Sequence, residues 1–229
     1  MADLIQTCAI LSHACYSASV PDGLGILGYE QILCEGTDTL AMVYVTQGAL
    51  YIAVAGSESL RDWIGNSRII KASFHGIKAH RGFARAAESI LVDVMQIIAR
   101  NPRPEVVLTG HSLGGAIATL LAVALRPKAI RLITFGQPKV ATAQELRLAL
   151  FGEYIRVVNG SDIVPRLPRF KYSHAGTCVY LSNSGKRLLD PGWLRMFIDR
   201  TITLGQHQRG TDHRSTDYSK EYARCVESQ

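Results

Sequence analysis

A chain of 229 residues, of which 47% are hydrophobic, is long enough to bury one substantial core, and we expect a single domain over residues 1–229 because no linker-like or low-complexity segment interrupts it. The formal net charge is +6, but lysine and arginine are scattered along the chain, which argues against nucleic acid as a partner. The longest apolar stretch, near 116–125, is too short to span a bilayer, so no transmembrane segment is expected.

The predicted secondary structure begins with a helix, after which β-type and α-type segments alternate. Helices are predicted where apolar residues recur with helical spacing, and strands where short β-branched runs occur. The predicted elements are, in chain order, helix 4–18, strands 40–46 and 50–55, helix 83–100, strand 105–109, helix 116–126, strand 130–135, helix 142–150, strands 154–158 and 177–181, and helices 193–203 and 218–225. This order predicts an α/β fold with a mostly parallel central sheet and helices on both faces.

The cysteines and the N-terminus bear on the compartment. Five cysteines are an odd number, and Cys8 and Cys15 are separated by about 10 Å on one predicted helix, too far for a disulfide. The N-terminus has no basic region before its interrupted apolar run, so no secretory signal peptide is predicted. We therefore expect reduced thiols in a cytoplasmic protein, or in one exported by a route without a cleaved signal peptide. No residue spacing indicates a zinc or calcium site, so neither a metal nor a cofactor is expected.

The strand predicted at 105–109 runs into the sequence Gly110-His111-Ser112-Leu113-Gly114 and then into a helix. A G-x-S-x-G pentapeptide between a strand and a helix is typical of a nucleophile elbow, a sharp turn that exposes a serine hydroxyl. Glycine has no Cβ, so Gly110 and Gly114 leave room for the turn. The pentapeptide alone arises by chance, and its position between two such elements is what predicts that Ser112 is a nucleophile.

A serine nucleophile needs a base and a carboxylate that orients the base, and in this fold they follow the serine in the order carboxylate, histidine. Asp162 comes directly after the strand predicted at 154–158, where catalytic groups of open α/β sheets gather. His213 lies in a polar loop before the last predicted helix. His207 is the alternative base, although no helix follows it directly. The sequence therefore favours Ser112, Asp162 and His213 as a catalytic triad.

Several separate blocks of the sequence resemble those of one family. They are Ala53 to Ser59 with Arg61-Asp62-Trp63, Ala79 to Phe83, Thr134 to Val140, Asn159 to Pro168, Ser173 to Gly176, and Asp212-His213. Together with the elbow they are similar to the class 3 lipases, the α/β-hydrolase family of the fungal triacylglycerol lipases. One departure is Ala55, where that family usually has arginine before the glycine.

An oxyanion hole needs two donors that point at the developing alkoxide. The backbone N–H of Leu113, at the start of the helix after Ser112, is expected to be one of them. The resemblance implies that Ser57 supplies the other through its own backbone N–H. The alternative is that Ser57 is a serine in a turn with no catalytic role.

The segment from Leu60 to Lys78 mixes apolar and basic side chains, a composition suited to a lid over the active site. In this interpretation Trp63, Ile64 and Ile69 face the cleft and contact substrate. A plain loop packed on the core is the alternative.

The resemblance implies a carboxylic ester hydrolase that cleaves acylglycerols through an acyl-enzyme intermediate. Its partner would be a lipid ester at a membrane or droplet surface, and no protein partner can be inferred. A phospholipase A1 is the alternative within the same chemistry, because the positive net charge is compatible with phospholipids. A non-catalytic lipid-binding module is the alternative from another class, although it would not require the triad residues to be kept.

Overall fold

A computed structural model describes residues 2–56, 70–125, 130–150, 152–160, 162–203, 218 and 220–223. Eight of the described strands form one sheet in the order β1-β2-β3-β6-β7-β8-β9-β10, and β4 and β5 form a separate hairpin. The strands of the large sheet are β1 (Gly28–Cys34), β2 (Thr39–Val45), β3 (Ala49–Val54), β6 (Glu105–His111), β7 (Ile130–Phe135), β8 (Tyr154–Asn159), β9 (Thr177–Leu181) and β10 (Arg187–Leu189). The hairpin consists of β4 (Lys71–Phe74) and β5 (Ile77–His80).

The middle of the large sheet is parallel and its borders are antiparallel. Every neighbouring pair from β3 to β9 is parallel, whereas β1 pairs with β2, β2 with β3, and β9 with β10 in antiparallel fashion. The carboxyl ends of β3, β6, β7, β8 and β9 consequently meet at one edge of the sheet, which we call the carboxyl edge. Ligands of open α/β sheets bind at this edge.

Helices cover the sheet on both faces, because alternate side chains of each buried strand point to opposite sides. The α-helices that lie wholly within the described residues are α1 (Ala2–Ala14), α2 (Arg81–Arg100), α3 (Leu113–Ala124), α4 (Ala143–Ala149) and α5 (Trp193–Thr203). Val106 and Leu108 pack in a core with α2 and α3, whereas Val107, between them, packs in a second core with α1 and Tyr218. The predicted α/β architecture is confirmed. No helix in the described ranges combines the length and apolarity needed to cross a membrane.

Two strands and one hairpin were not predicted, and each has a local reason. In β1 only Ile32 is buried, because this strand lies at the border of the sheet. Its sequence therefore shows no apolar alternation. The three-residue strand β10 is too short to give a pattern. The hairpin turns at His75 and Gly76, both at positive φ, which is the conformation of a two-residue type I′ turn. That hairpin occupies the end of the segment predicted to be a lid.

Candidate active site

Ser112 forms the turn between β6 and α3. Its φ is 58° and its ψ is −126°, a sparsely populated conformation for a residue with a side chain. The Ser112 N–H donates to the Phe135 carbonyl at 2.8 Å, and the Ser112 carbonyl accepts from the Ala116 N–H at 3.3 Å. The first bond ties the turn to β7 and the second begins α3. This is the strained strand-to-helix geometry that the motif predicts.

The glycines that flank Ser112 are required by close backbone contacts. A Cβ on Gly110 would lie 2.5 Å from the Gly114 carbonyl carbon, and a Cβ on Gly114 would overlap the Val54 carbonyl oxygen. Gly114 therefore lets α3 approach the end of β3 closely. Gly56, two residues after β3, lies directly against the elbow, since a Cβ there would be 3.3 Å from the Ser112 Cβ.

One predicted feature of the elbow differs in the structure. The motif predicts a freely accessible serine hydroxyl, whereas only 2% of the Ser112 surface is exposed. Leu113 is the first residue of α3, so its N–H has no acceptor within the helix. Its role as an oxyanion donor stays a prediction.

Asp162 lies just beyond the end of β8 and is 3% exposed. Its Oδ1 accepts from the Val164 N–H at 2.9 Å, and its Oδ2 accepts from the Tyr218 hydroxyl. The two hydrogen bonds fix the orientation of the carboxyl group. The same Oδ2 lies against Gly136, where a Cβ would be 2.8 Å away. Gly136 has φ 58° and directly follows Phe135, the residue that accepts from the Ser112 N–H. The end of β7 thus lies between the elbow and the carboxylate.

Tyr218 was missed by the sequence analysis, although it contacts both parts of the site. Besides donating to Asp162, its hydroxyl accepts from the Asn159 N–H at 3.2 Å. Its ring centroid lies 5.5 Å from that of His111 and 6.1 Å from that of Phe135. A tyrosine five positions after a candidate base is a weak signal, because only the tertiary structure brings it to a carboxylate 56 residues earlier.

Tyr16 was also missed. It belongs to a short 3₁₀ helix after α1, and its hydroxyl lies 2.8 Å from His111 Nδ1. The same hydroxyl would overlap a Cβ on Gly56. The N-terminal region therefore contributes a side chain to the contacts between the elbow and the loop after β3.

Other predicted site residues lie outside the described residues, namely Ser57, Trp63, Ile64, Ile69, His207 and His213. Their roles stay predictions. Part of the predicted lid segment is described, and for that part the prediction is wrong. Phe74 and Ile77 are 4% and 6% exposed and pack in the main core, because the hairpin joins this segment to α2. Any lid must therefore end before Lys71.

Two histidines lie near the site, His174 half-buried and His80 buried. Burial lowers the pKa of His174 to about 3, and the nearby Arg156 adds to this effect. His174 Nε2 lies 2.6 Å from the Pro165 carbonyl, so a neutral ring donates to the loop that carries Asp162. Burial also lowers the pKa of His80, with Arg81 as the second cause. Within the described residues, no group of three or more histidine, cysteine or acidic side chains could hold a metal ion.

The parallel sheet, the elbow after β6 and the carboxylate after β8 define an α/β-hydrolase. The sequence matches the family described as lipase (class 3) over residues 51–172, more than half of the chain. The chain therefore belongs to the class 3 lipase family.

Known relatives and a solved structure agree with this assignment. The chain is 29% identical over 188 residues to a lipase of Rhizomucor miehei, covering 74% of this chain and 52% of that protein. It is 36% identical over 164 residues to secreted mono- and diacylglycerol lipase 1 of Fusarium solani, covering 64% of this chain and 49% of that protein. A structure of a triacylglycerol lipase, whose catalytic centre is described as a serine protease triad, aligns with a TM-score of 0.69 and 28% identity over 82% of each chain. The chain spans about half the length of the two relatives.

The relatives correct one expectation. The Fusarium solani protein and a relative from Penicillium camembertii, 32% identical over 145 residues, are both named as secreted lipases. These names contradict the prediction of a cytoplasmic protein, which is therefore wrong. In the part of the chain that the structure describes, Cys8, Cys15, Cys34 and Cys178 form no disulfide, and their redox state in the protein stays a prediction.

Proposed function

We propose that this chain is a lipase that hydrolyses acylglycerol esters through a serine nucleophile. The main support for the proposal is the backbone conformation of Ser112, which has φ 58° between β6 and α3 although it is not a glycine. Such strain persists only where the surrounding structure enforces it, and here two flanking glycines and the bond to Phe135 do so.

In the proposed mechanism the Ser112 hydroxyl attacks the ester carbonyl carbon and gives its proton to the imidazole of His213. The alcohol leaves with that proton. Water then gives a proton to the same imidazole and attacks the acyl carbon, the bond to the Ser112 oxygen breaks, and the serine regains the proton as the carboxylic acid is released. Asp162 orients the imidazole and stabilises its positive charge. The position of Tyr218 supports this assignment, because five residues span at most about 18 Å and Tyr218 itself is bonded to Asp162.

The oxyanion of the tetrahedral intermediate would be bound by the N–H groups of Leu113 and Ser57. Support for Leu113 is its place at the start of α3. Support for Ser57 is the position of its chain neighbour Gly56, which lies against both the Ser112 side chain and the His111 carbonyl. Each such donor contributes about 3–4 kcal/mol in a dry site.

Acylglycerols are the proposed substrates because the relatives are named as lipases and as mono- and diacylglycerol lipases. The burial of Ser112 supports a covered cleft that must open for substrate. Trp63, Ile64 and Ile69 are the proposed covering residues. Such cover would hide apolar surface in water and release it at a lipid interface.

A phospholipase A1 activity is the second candidate. Arg169 and Lys171 are exposed on either side of Phe170, itself 76% exposed, in the loop that follows Asp162. Cationic groups at this position could bind a phosphate headgroup. A panel of triacylglycerol, diacylglycerol and phosphatidylglycerol with matched acyl chains distinguishes the two activities.

The decisive experiment is Ser112→Ala. It should lower kcat for ester hydrolysis at least about a thousandfold while the circular dichroism spectrum and Tm stay close to those of the unmodified protein. A serine-directed organophosphonate should label Ser112 in the parent chain, as read by peptide mass mapping. Retained activity, or labelling of another serine, would overturn the proposal. His213→Ala and His207→Ala, compared in the same assay, test the choice of base.

A further inference from the structure

Helix α5 presents its apolar side chains to solvent. Trp193, Leu194, Phe197 and Ile198 are 75%, 54%, 53% and 46% exposed. At about 100° per residue these four positions form one continuous stripe that covers about 140° of the helix surface. We call these four side chains the α5 stripe. A surface helix of a globular protein normally turns such a stripe inward.

The opposite side of α5 is attached to the protein through a carboxylate. Asp199 Oδ2 accepts from the Tyr180 hydroxyl at 2.9 Å and from the Asn183 N–H at 3.1 Å. On the helical wheel Asp199 lies about 170° from the middle of the α5 stripe. The polar side of α5, at Asp199, therefore faces the protein, and its apolar side faces solvent. We call the hydrogen bonds of Asp199 the anchor of α5, because they hold the helix in this orientation.

The anchor places α5 at the carboxyl edge of the sheet. Tyr180 is near the carboxyl end of β9, and its hydroxyl is also 3.1 Å from the Gly160 carbonyl oxygen. Gly160 follows β8 and precedes Asp162 by two residues. The α5 stripe thus belongs to the same edge of the molecule as Ser112 and Asp162.

The charges around the stripe are complementary to an anionic surface. Arg195 is exposed on α5, and Lys186 is exposed in the connection between β9 and β10. Asp190 and Asp199 lie on the same segment and offset part of this positive charge, and each accepts a backbone N–H, from Cys178 at 2.7 Å and from Asn183 at 3.1 Å. The whole chain carries a formal charge of +6. Apolar and cationic side chains on one helix are typical of helices that lie in a lipid interface.

We propose that α5 docks the protein onto a lipid surface that carries anionic headgroups, with the α5 stripe inserted among the acyl chains. This inference rests on the proposed function, since a lipase must reach a lipid surface, and it identifies the element that makes the contact. Docking through α5 brings the carboxyl edge, and with it the catalytic residues, to the surface from which the ester is drawn.

The test uses a double variant with a matched control. Leu194→Ser with Phe197→Ser removes two exposed apolar side chains spaced three residues apart on α5. Val92→Ser with Met95→Ser makes the same change at the same spacing on α2, where the two residues are 63% and 50% exposed. Flotation is measured with vesicles of phosphatidylcholine alone and with phosphatidylglycerol added, in a Ser112→Ala background so that no lipid is hydrolysed.

The α5 variant should lower the partition onto vesicles containing phosphatidylglycerol at least about tenfold, and the α2 variant should change it less than about twofold. With Ser112 intact, both variants should hydrolyse a short soluble ester at the parent rate.

Three outcomes would overturn the proposal: equal loss of vesicle binding in both variants, unchanged binding of the α5 variant, or equal binding to the two kinds of vesicle. A parent dimer that the α5 variant converts to a monomer, with vesicle binding unchanged, would show that a second copy covers the stripe. Vesicle binding by a parent chain without ester hydrolysis would refute the proposed function and leave the docking inference standing.

Discussion

The hydroxyl of Tyr218 makes two buried hydrogen bonds, so Tyr218→Phe tests its importance without changing the ring. The variant keeps the ring contacts with His111 and Phe135. It removes the donor to Asp162 Oδ2 and leaves the Asn159 N–H without this acceptor. A hydrogen bond to a carboxylate contributes about 1.5–3 kcal/mol, and the loss of a hydrogen bond to a buried N–H costs about 1–3 kcal/mol. Because the two losses share one atom and are not additive, we expect the free energy of unfolding to fall by about 2–4 kcal/mol.

For a chain of this length that loss corresponds to a fall in Tm of about 4–16 °C. We also expect kcat for a soluble ester to fall about ten- to a hundredfold, since a less firmly held Asp162 orients the base less well. KM should change little, because Tyr218 is 1% exposed and has no access to substrate.

The control for this prediction is Tyr44→Phe. Tyr44 is also buried, and its hydroxyl donates to the Ser19 carbonyl at 2.9 Å rather than to Asp162. Its removal should lower stability by about 1 kcal/mol and leave kcat unchanged. A Tyr218→Phe protein with the parent Tm and kcat would refute the assigned role. A fall in kcat of equal size in both variants would show a general loss of rigidity instead.

Three further predictions concern the elbow, acid stability and thiol reactivity. Gly114→Ala should lower the free energy of unfolding by about 1–3 kcal/mol or more, because its Cβ overlaps the β3 backbone, whereas Gly28→Ala meets nothing within 4 Å and should cost less in urea unfolding. His174 has a folded pKa of about 3, below that of the unfolded chain, so its stabilising effect is complete above pH 6.5 and is lost as pH falls towards 3. His174→Gln should therefore flatten the decline in unfolding free energy by up to about 1.4 kcal/mol per pH unit, and an unchanged slope would contradict this. Hydrogen bonds from Thr37 and then Ser89 lower the pKa of Cys34, while burial raises the pKa of Cys15 to about 12, so iodoacetamide should alkylate Cys34 first, and mass mapping that finds Cys15 modified earlier would disprove it.

The turn at Ser112 was predictable because its determinants are local. Its determinants lie close together in the sequence: a β-branched run before Ser112, a glycine on either side of it, and an apolar helix after it. The same is true of β7, β9 and α5, whose observed bounds match the predicted ones. Propensity and apolar periodicity decide such segments before any tertiary contact forms.

Tertiary structure alone decided what these segments contact. In a border strand such as β1 only Ile32 is buried. Its exposed positions accept polar and apolar residues alike, so the sequence shows no apolar alternation that would predict the strand. The hydrogen bond between Tyr218 and Asp162 joins residues 56 positions apart, and no local pattern specifies such a pair. The direction of α5 follows the same reasoning. Its sequence predicts an amphipathic helix and would place the apolar face inward, but the bonds of Asp199 to Tyr180 and Asn183 turn that face to solvent.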